Sequence, residues 1–403
     1  MSKNLYLKNN IRSGYFKKVL YSKDKEKLKK IINNILISLD NKKDVFHSLS
    51  KNFNFNFKYS SLVKFKKYKS VVIIGMGGSI LGSKAIYTFF RDQIKKDFTF
   101  LDNLDQIKIE NIKKKLNFKN TLFIIISKSG NTLETLVNSN LFNNKLNNRN
   151  TIIITENKSN SLSIFAKKRK ILKIEHKNYI GGRYSVLSDV GMVPIFFMGL
   201  KIKNFRKNLL DFLITNQKNL LLDSVVKLSH IYKYKKINSI IMLNYAPELN
   251  DFLFWCQQLL AESLGKKGKG ILPVVSPAPR DHHSLLQLYL DGPKDKLFFI
   301  FNSETNKKIK IRRNIFGETF NYIKNKDYSK IKEAQKNALK KILKKKNIPY
   351  QEFEIKKNNE ETLGELFSYF IIKTVLVGKL LAINPFNQPA VEEVKILTKE
   401  YLS

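Results

Sequence analysis

Cysteine is almost absent from this chain: its 403 residues contain one, Cys256. That excludes a disulfide framework and a cysteine-based metal site, and it fits a reducing, cytoplasmic setting. Histidine is nearly as scarce, with five in all. His47, His176 and His230 stand isolated, so no metal centre is expected. The N-terminus, MSKNLYLKNNIRSGYF, has no apolar core of the signal-peptide kind. No long hydrophobic run is unbroken. The most apolar one, LFSYFIIKTVLVGKLLAI at 366–383, is interrupted by Lys373 and Lys379 and reads as a buried helix with a charged edge, with no membrane association expected.

Acidic residues number 33 against 74 basic ones, a net charge of +41. Such a balance raises the question of nucleic acid. Yet only nine of the 74 are Arg, and the Lys residues keep company with Asn, Ile and Phe, as AT-rich codons would produce. They are spread along the whole chain, with no basic stripe and no aromatic-interleaved RNA-binding motif. Solvated Lys faces account for this better than a specific nucleic-acid partner. The charge can still draw anionic substrates by long-range attraction.

The length and a 43% hydrophobic content suffice for two domains. Residues 1–67 are polar, with helical periodicity at 28–39, and read as an N-terminal helical segment packing on the body. At 69–75, KSVVIIG has the form of a buried parallel strand and runs into MGGSILG, a glycine-rich turn opening a helix. Gly75, Gly77 and Gly78 allow close backbone approach to an anion, the helix start directs free N–H groups at it, and Ser79 adds a hydroxyl. The G-x-G-x-x-G spacing of a dinucleotide fold is missing. A second strand at 121–126 runs into SKSGNTLET, which gathers Ser127, Lys128, Ser129 and Thr132 at a helix start, with Glu134 in its first turn. Hydroxyls plus helix-start amides suit a phosphate monoester held without metal. A plain helix cap is the other reading of that turn. Both turns lie at the carboxyl ends of strands, where open parallel sheets bind ligands.

Further strands are expected at 150–155, 170–175, 238–243, 270–275, 296–301 and 350–355. Between them Gly181-Gly182-Arg183 offers a backbone-tethered guanidinium able to clamp a phosphate or offset a developing oxyanion. A helix at 249–264 carries Glu262 in an apolar pattern, where a raised pKa would suit a proton shuttle. About twenty residues on, His282 and His283 occupy a proline-rich loop. By itself the Glu–His pairing does not separate a proton-transfer site from a satisfied structural pair. The Lys-rich stretch 307–346 shows no chemistry. In the closing stretch Gln388 and Lys395 are seven apart, two turns on one helical face. The pattern is α/β: two sheets of alternating strands and helices, with domains at 68–200 and 201–403, the second bearing a C-terminal helical arm.

The strings GMGGSILG, SKSGNTLET, GGRYSVLS, QQLLAESLGKKG, DHHSLLQLYLDGP and PFNQPAVEEVK stand here in the order found in glucose-6-phosphate isomerases. The resemblance spans residues 69–400. It implies two sugar-isomerase (SIS-type) domains, each a parallel sheet flanked by helices, with the active site between them. It also implies a sugar-phosphate substrate, a homodimer and no cofactor. By similarity, Glu262 carries the proton between C1 and C2, His283 opens the sugar ring, Lys395 assists, and Arg183 stabilises the enediolate. Gly78, Ser79, Ser127, Lys128, Ser129 and Thr132 match phosphate-binding positions and Gln388 a substrate-binding one, with Glu134 and Gly182 in support. His282 stands where the family usually has Gln and is expected to be a neighbour only.

Three departures accompany the resemblance. SKSGNT replaces the common SKTFTT and leans towards the SGNTxET of bifunctional phosphoglucose/phosphomannose isomerases. Ala390 replaces a usual Gly and Asn387 a common Asp. The chain is shorter than most family members. The alternatives are therefore a bifunctional isomerase and a non-catalytic sugar-phosphate-binding protein. The second would not be expected to keep Glu262, His283, Lys395 and Arg183 together.

Overall fold

The computed structural model describes residues 5–234, 237–304 and 309–403. The first four residues of the N-terminal segment, and Lys307 and Lys308 at the head of the Lys-rich stretch, lie outside them.

Short β-branched runs make the strands. The described residues contain β1 (Leu5–Asn9), β2 (Ser70–Gly75), β3 (Asp97–Leu101), β4 (Thr121–Ile126), β5 (Thr151–Thr155), β6 (Leu172–Glu175), β7 (Ser239–Asn244), β8 (Leu272–Pro277), β9 (Lys296–Ser303) and β10 (Tyr350–Ile355). One sheet has the order β3-β2-β4-β5-β6 and is parallel throughout. The other has the order β1-β10-β9-β7-β8, parallel except for its edge strand β1. The architecture is α/β, as expected. Two strands escape a reading by periodicity. β1 pairs antiparallel with β10, so the N-terminal stretch is not wholly helical but completes the second sheet before the helix Lys18–Ser38 begins. β3, DFTFL, is a short edge strand with no long apolar run to announce it.

Side chains alternate across each strand, and the core follows that alternation. Val71 and Ile73 of β2 face one cluster, Val72 and Ile74 another. The first cluster also takes Ile240 and Met242 of β7 and Phe299 and Phe301 of β9. Facing sides of both sheets therefore share one continuous core, filled between them by helices Leu81–Phe89, Asn250–Leu264 and Glu360–Leu380. Outer faces are covered separately, Phe123 and Ile153 on the first sheet, Phe298 and Ile300 on the second. Parallel strands covered on both faces account for near-continuous apolar runs such as TLFIII, every residue of which is buried.

Helix Glu360–Leu380 corrects an expectation. It starts at Asn359, whose side chain accepts the Thr362 amide at 2.9 Å, and it is buried almost throughout. Lys379 is exposed, but Lys373 is 1% exposed and so no edge charge. Its Nζ donates to Gln351 Oε1 at 2.6 Å and lies 4.5 and 5.0 Å from the Phe299 and Phe353 ring centroids. No helix among the described residues is long and apolar enough to cross a membrane.

Burial draws the Lys373 pKa down to about 7, against an opposing pull from Cys256. Between that value and the ordinary lysine range the folded chain holds fewer protons than the unfolded one, so stability should rise with pH across roughly pH 7 to 10. Lys373→Met should stabilise the fold at pH 6 by on the order of 1–3 kcal/mol and flatten that rise. Urea melts at several pH values check it, and a wild-type midpoint constant from pH 7 to 10 would contradict it.

Candidate active site

The glycine turn after β2 is built by close backbone packing. Gly77–Ser79 form one short helical turn, and the GGR segment forms another at Gly182–Leu187. A Cβ on Gly78 would stand 2.1 Å from the Gly182 carbonyl carbon and 2.4 Å from the Arg183 nitrogen. Only glycine lets these two stretches meet. Ser79 is buried beside them. Helix Asn250–Leu264 touches both, bringing Glu262 to the same place.

Arg183 then joins three parts of the chain. It is 2% exposed, and its guanidinium donates in every direction. Nε donates to Ser263 Oγ at 2.9 Å, and Nη1 donates to Glu262 Oε2 at 3.0 Å and to Gln388 Oε1. Nη2 donates to the Pro385 and Asn387 carbonyls at 2.6 and 3.2 Å. The planar fork suits such a junction as an ammonium could not. Tyr184 lies alongside, its hydroxyl paired with Ser263 Oγ at 2.8 Å and donating to Pro385 O at 2.9 Å. Burial above all raises its pKa, so it stays a neutral donor.

Glu262 therefore does not sit in the apolar pocket that its sequence pattern suggested. Oε2 faces Arg183, and Oε1 accepts from Gln258 Nε2 at 2.9 Å. Gln258 is one helical turn earlier on the same face, and the four-residue spacing in QQLLAE is the signal that marks it. A cleft of about 520 Å³ opens beside these residues, with Gln257, Gln258 and Glu262 on one wall and Leu81, Lys84 and Asp102 on the other. Lys266, just past the helix, donates to the Ser263 and Asn384 carbonyls at 3.2 and 2.7 Å. Partial burial and the Arg183 charge lower its pKa to about 8, against the pull of Glu262.

The SKSGNT turn follows β4, whose last residue, Ile126, pairs with Gly75 of β2, so both turns leave neighbouring strands at the same level. Ser127 Oγ lies 2.8 Å from Thr132 Oγ1 and accepts the Gly130 amide at 3.1 Å. Ser129 Oγ lies 3.5 Å from the same threonine and accepts the Asn131 amide at 3.2 Å. Three hydroxyls thus converge at the start of helix Leu133–Asn140, with Glu134 in its first turn. The departure from SKTFTT has a local cause. Gly130 has φ +70°, and a Cβ there would fall 1.9 Å from Asn160 Oδ1. Asn131 Oδ1 accepts the Ser161 amide at 2.9 Å, so Gly and Asn brace the turn against the next helix. Lys128 donates to Asn178 O at 2.7 Å and lies 3.7 Å from Glu156, with its pKa lowered mainly by burial.

Two expected members stand apart. His283 is exposed, in the loop after edge strand β8, and no hydrogen bond of the Arg183 cluster reaches it. Its neighbour His282 has a structural setting, Nε2 2.7 Å from Tyr245 OH and the rings edge to face. Lys395 is also exposed and pairs with Glu392 at 2.6 Å. Gln388 and Lys395 do not share a helical face, because the last helix is Glu392–Leu402 and Gln388 precedes it. No residue of that helix is buried.

Gly78→Ala should cost roughly 2–4 kcal/mol of stability, because backbone must move to admit the methyl. Gly182→Ala, whose Cβ would meet only Gly78 Cα at 3.9 Å, should cost far less. Urea midpoints of the two variants test the contrast, and equal values would refute it.

Outside comparisons bear on this arrangement. The sequence profile of the phosphoglucose isomerase family matches residues 28–403. A glucose-6-phosphate isomerase of Methanocaldococcus jannaschii is 34% identical over 373 residues, covering 90% of each chain. Among solved structures, a hypothetical protein of Thermus thermophilus superposes with a TM-score of 0.86 at 24% identity, covering 99% of this chain and 100% of the other. A glucose-6-phosphate isomerase of Chlamydia trachomatis gives 0.72 at 21% identity, covering 84% and 71%. The two structural likenesses concern the fold. On the profile match and the sequence relative, the chain belongs to the phosphoglucose isomerase family.

Proposed function

We infer that the chain interconverts glucose 6-phosphate and fructose 6-phosphate, and that Glu262 moves the proton. The contact that carries this reading is Arg183 Nη1 at 3.0 Å from Glu262 Oε2, a carboxylate base beside a fixed cation. In the open-chain aldose, Glu262 takes the proton from C2 and electrons shift onto the C1 oxygen. Arg183 faces the negative charge of the enediolate so formed, at no cost of reorganisation. A proton then passes from the C2 hydroxyl to the C1 oxygen, the C2–O bond becomes the carbonyl, and return of the Glu262 proton to C1 gives the ketose. Gln258 and Gln388 orient the carboxylate and guanidinium, and the hydroxyls of Ser127, Ser129 and Thr132, with Ser79 and Lys128 near, hold the 6-phosphate. The SKSGNT turn grips an end that glucose and mannose phosphates share, so its departure is not read as a choice between them. The non-catalytic alternative is disfavoured because base and cation are in contact. A single, buried cysteine and an anionic metabolite agree with a cytoplasmic setting.

We read the working unit as a homodimer in which His283 serves the site of the other copy and opens the ring there. Support comes from its exposure away from the cluster, and from a C-terminal helix with Val394, Ile396 and Leu402 all at least 60% exposed. In the same arrangement Lys395 exchanges its exposed Glu392 partner for a bound sugar.

A coupled assay checks the base. Glu262→Gln should lower kcat by about 10²–10⁴-fold in a chain that still folds, though with a lower melting point for loss of the Arg183 counter-charge, and a folded variant that keeps wild-type turnover removes the assignment. Mixing tests the shared site. Glu262→Gln and His283→Ala chains, each inactive alone, should recover up to about a quarter of wild-type activity after subunit exchange, since each mixed dimer has one intact site. Recovery of none would put His283 to work within its own chain.

A further inference from the structure

The C-terminal arm is tied to the body through one short turn. No residue of helix Glu392–Leu402 is buried. The turn before it, residues 381–388, offers its carbonyls to donors of two other segments. Lys269 Nζ donates to Leu381 O at 2.9 Å, and Lys266 Nζ donates to Asn384 O at 2.7 Å. Arg183 and Tyr184 share Pro385 O at 2.6 and 2.9 Å. Lys266 differs from Lys269 because it also reaches the helix of the base, and from Arg183 and Tyr184 because it does so at a backbone carbonyl. Its Nζ donates to Ser263 O at 3.2 Å, a carbonyl of the last helical turn that lacks an intrahelical partner. Ser263 adjoins Glu262 and accepts from Arg183 Nε through its hydroxyl.

We propose that Lys266 is a positioning residue for the isomerase reaction: its ammonium ties the end of the Glu262 helix to the turn that delivers Gln388, and so holds Arg183 aligned between them. This rests on the reading of Glu262 as the base. A second cation beside Arg183 is unfavourable unless it has its own acceptors. Two carbonyls and the Glu262 charge supply them, while turn 381–388 contributes no titratable side chain. Without the tie, Asn384 O has no cation, and the turn of Gln388 is held to the helix only through Arg183, Tyr184 and Lys269, so its distance from Glu262 is less tightly fixed. A displacement of that scale lowers the chemical step more than binding. Both hydrogen bonds of the Lys266 ammonium go to carbonyls outside the phosphate turns, so binding through the phosphate should change little.

The test compares wild type, Lys266→Met and Lys266→Arg in steady-state kinetics and in amide hydrogen exchange of the whole protein. In Lys266→Met, kcat should fall about tenfold with KM within about threefold. Exchange at residues 383–386 should speed about tenfold while the strands keep their protection. Lys266→Arg, which can still donate to both carbonyls, should restore most of both. Wild-type kcat and exchange in Lys266→Met would overturn the proposal, as would an arginine variant no better than methionine. Absence of isomerase turnover in the wild type would instead sink the isomerase reading and the catalytic role with it. The tie itself would then stand or fall on exchange alone.

Discussion

Everything at the centre of this molecule depends on satisfying one buried guanidinium. Arg183 has five N–H donors and 2% exposure, and an unpaired charge in such a place would cost several kcal/mol. Its acceptors come from residues 80 and 205 positions away along the chain. Folding the charge inward therefore forces the helix of Glu262 and the turn of Gln388 to converge on it. The face of Tyr184, 5.2 Å from the guanidinium carbon, and its hydroxyl complete the surround. What makes the charge tolerable is also what assembles a carboxylate, a cation and an amide in one place.

Two glycines make that convergence sterically possible. The turn after β2 and the GGR segment meet backbone to backbone at Gly78 and Gly182. The turn after β4 reaches the same end of the sheet because Gly75 and Ile126 pair in register. The GGR segment and the turns after β2 and β4 are thus gathered at one end of the first sheet.

The large positive charge has little to do with this centre. Ion pairs such as Lys29–Glu26 and Lys395–Glu392 lie at the surface, where each contributes roughly 0–1 kcal/mol. Lys373 is the opposite case. It is enclosed by aromatic rings, and its main relief is the Gln351 carbonyl oxygen and a lowered pKa. Composition alone treats the two kinds of lysine alike.

Local pattern determined a good deal here. Runs such as SVVIIG and TLFIII are long, β-branched and buried on both faces, so their strands were legible from residue type alone. Glycines and hydroxyls after those strands marked both candidate phosphate turns, and the ordered strings marked the family. Short edge strands β1 and β3 were not legible, because each has only five residues, too few to set a period apart from its surroundings. Nor was the polar setting of Glu262, the burial of Lys373, or the separation of His283 and Lys395 from the cluster. Those facts follow from contacts between residues far apart in the chain, and side-chain burial at such contacts is decided by what the tertiary fold lays against each residue. The sequence by itself determined which groups could do the chemistry; only the packing of two sheets on one core decided which of them meet at Arg183.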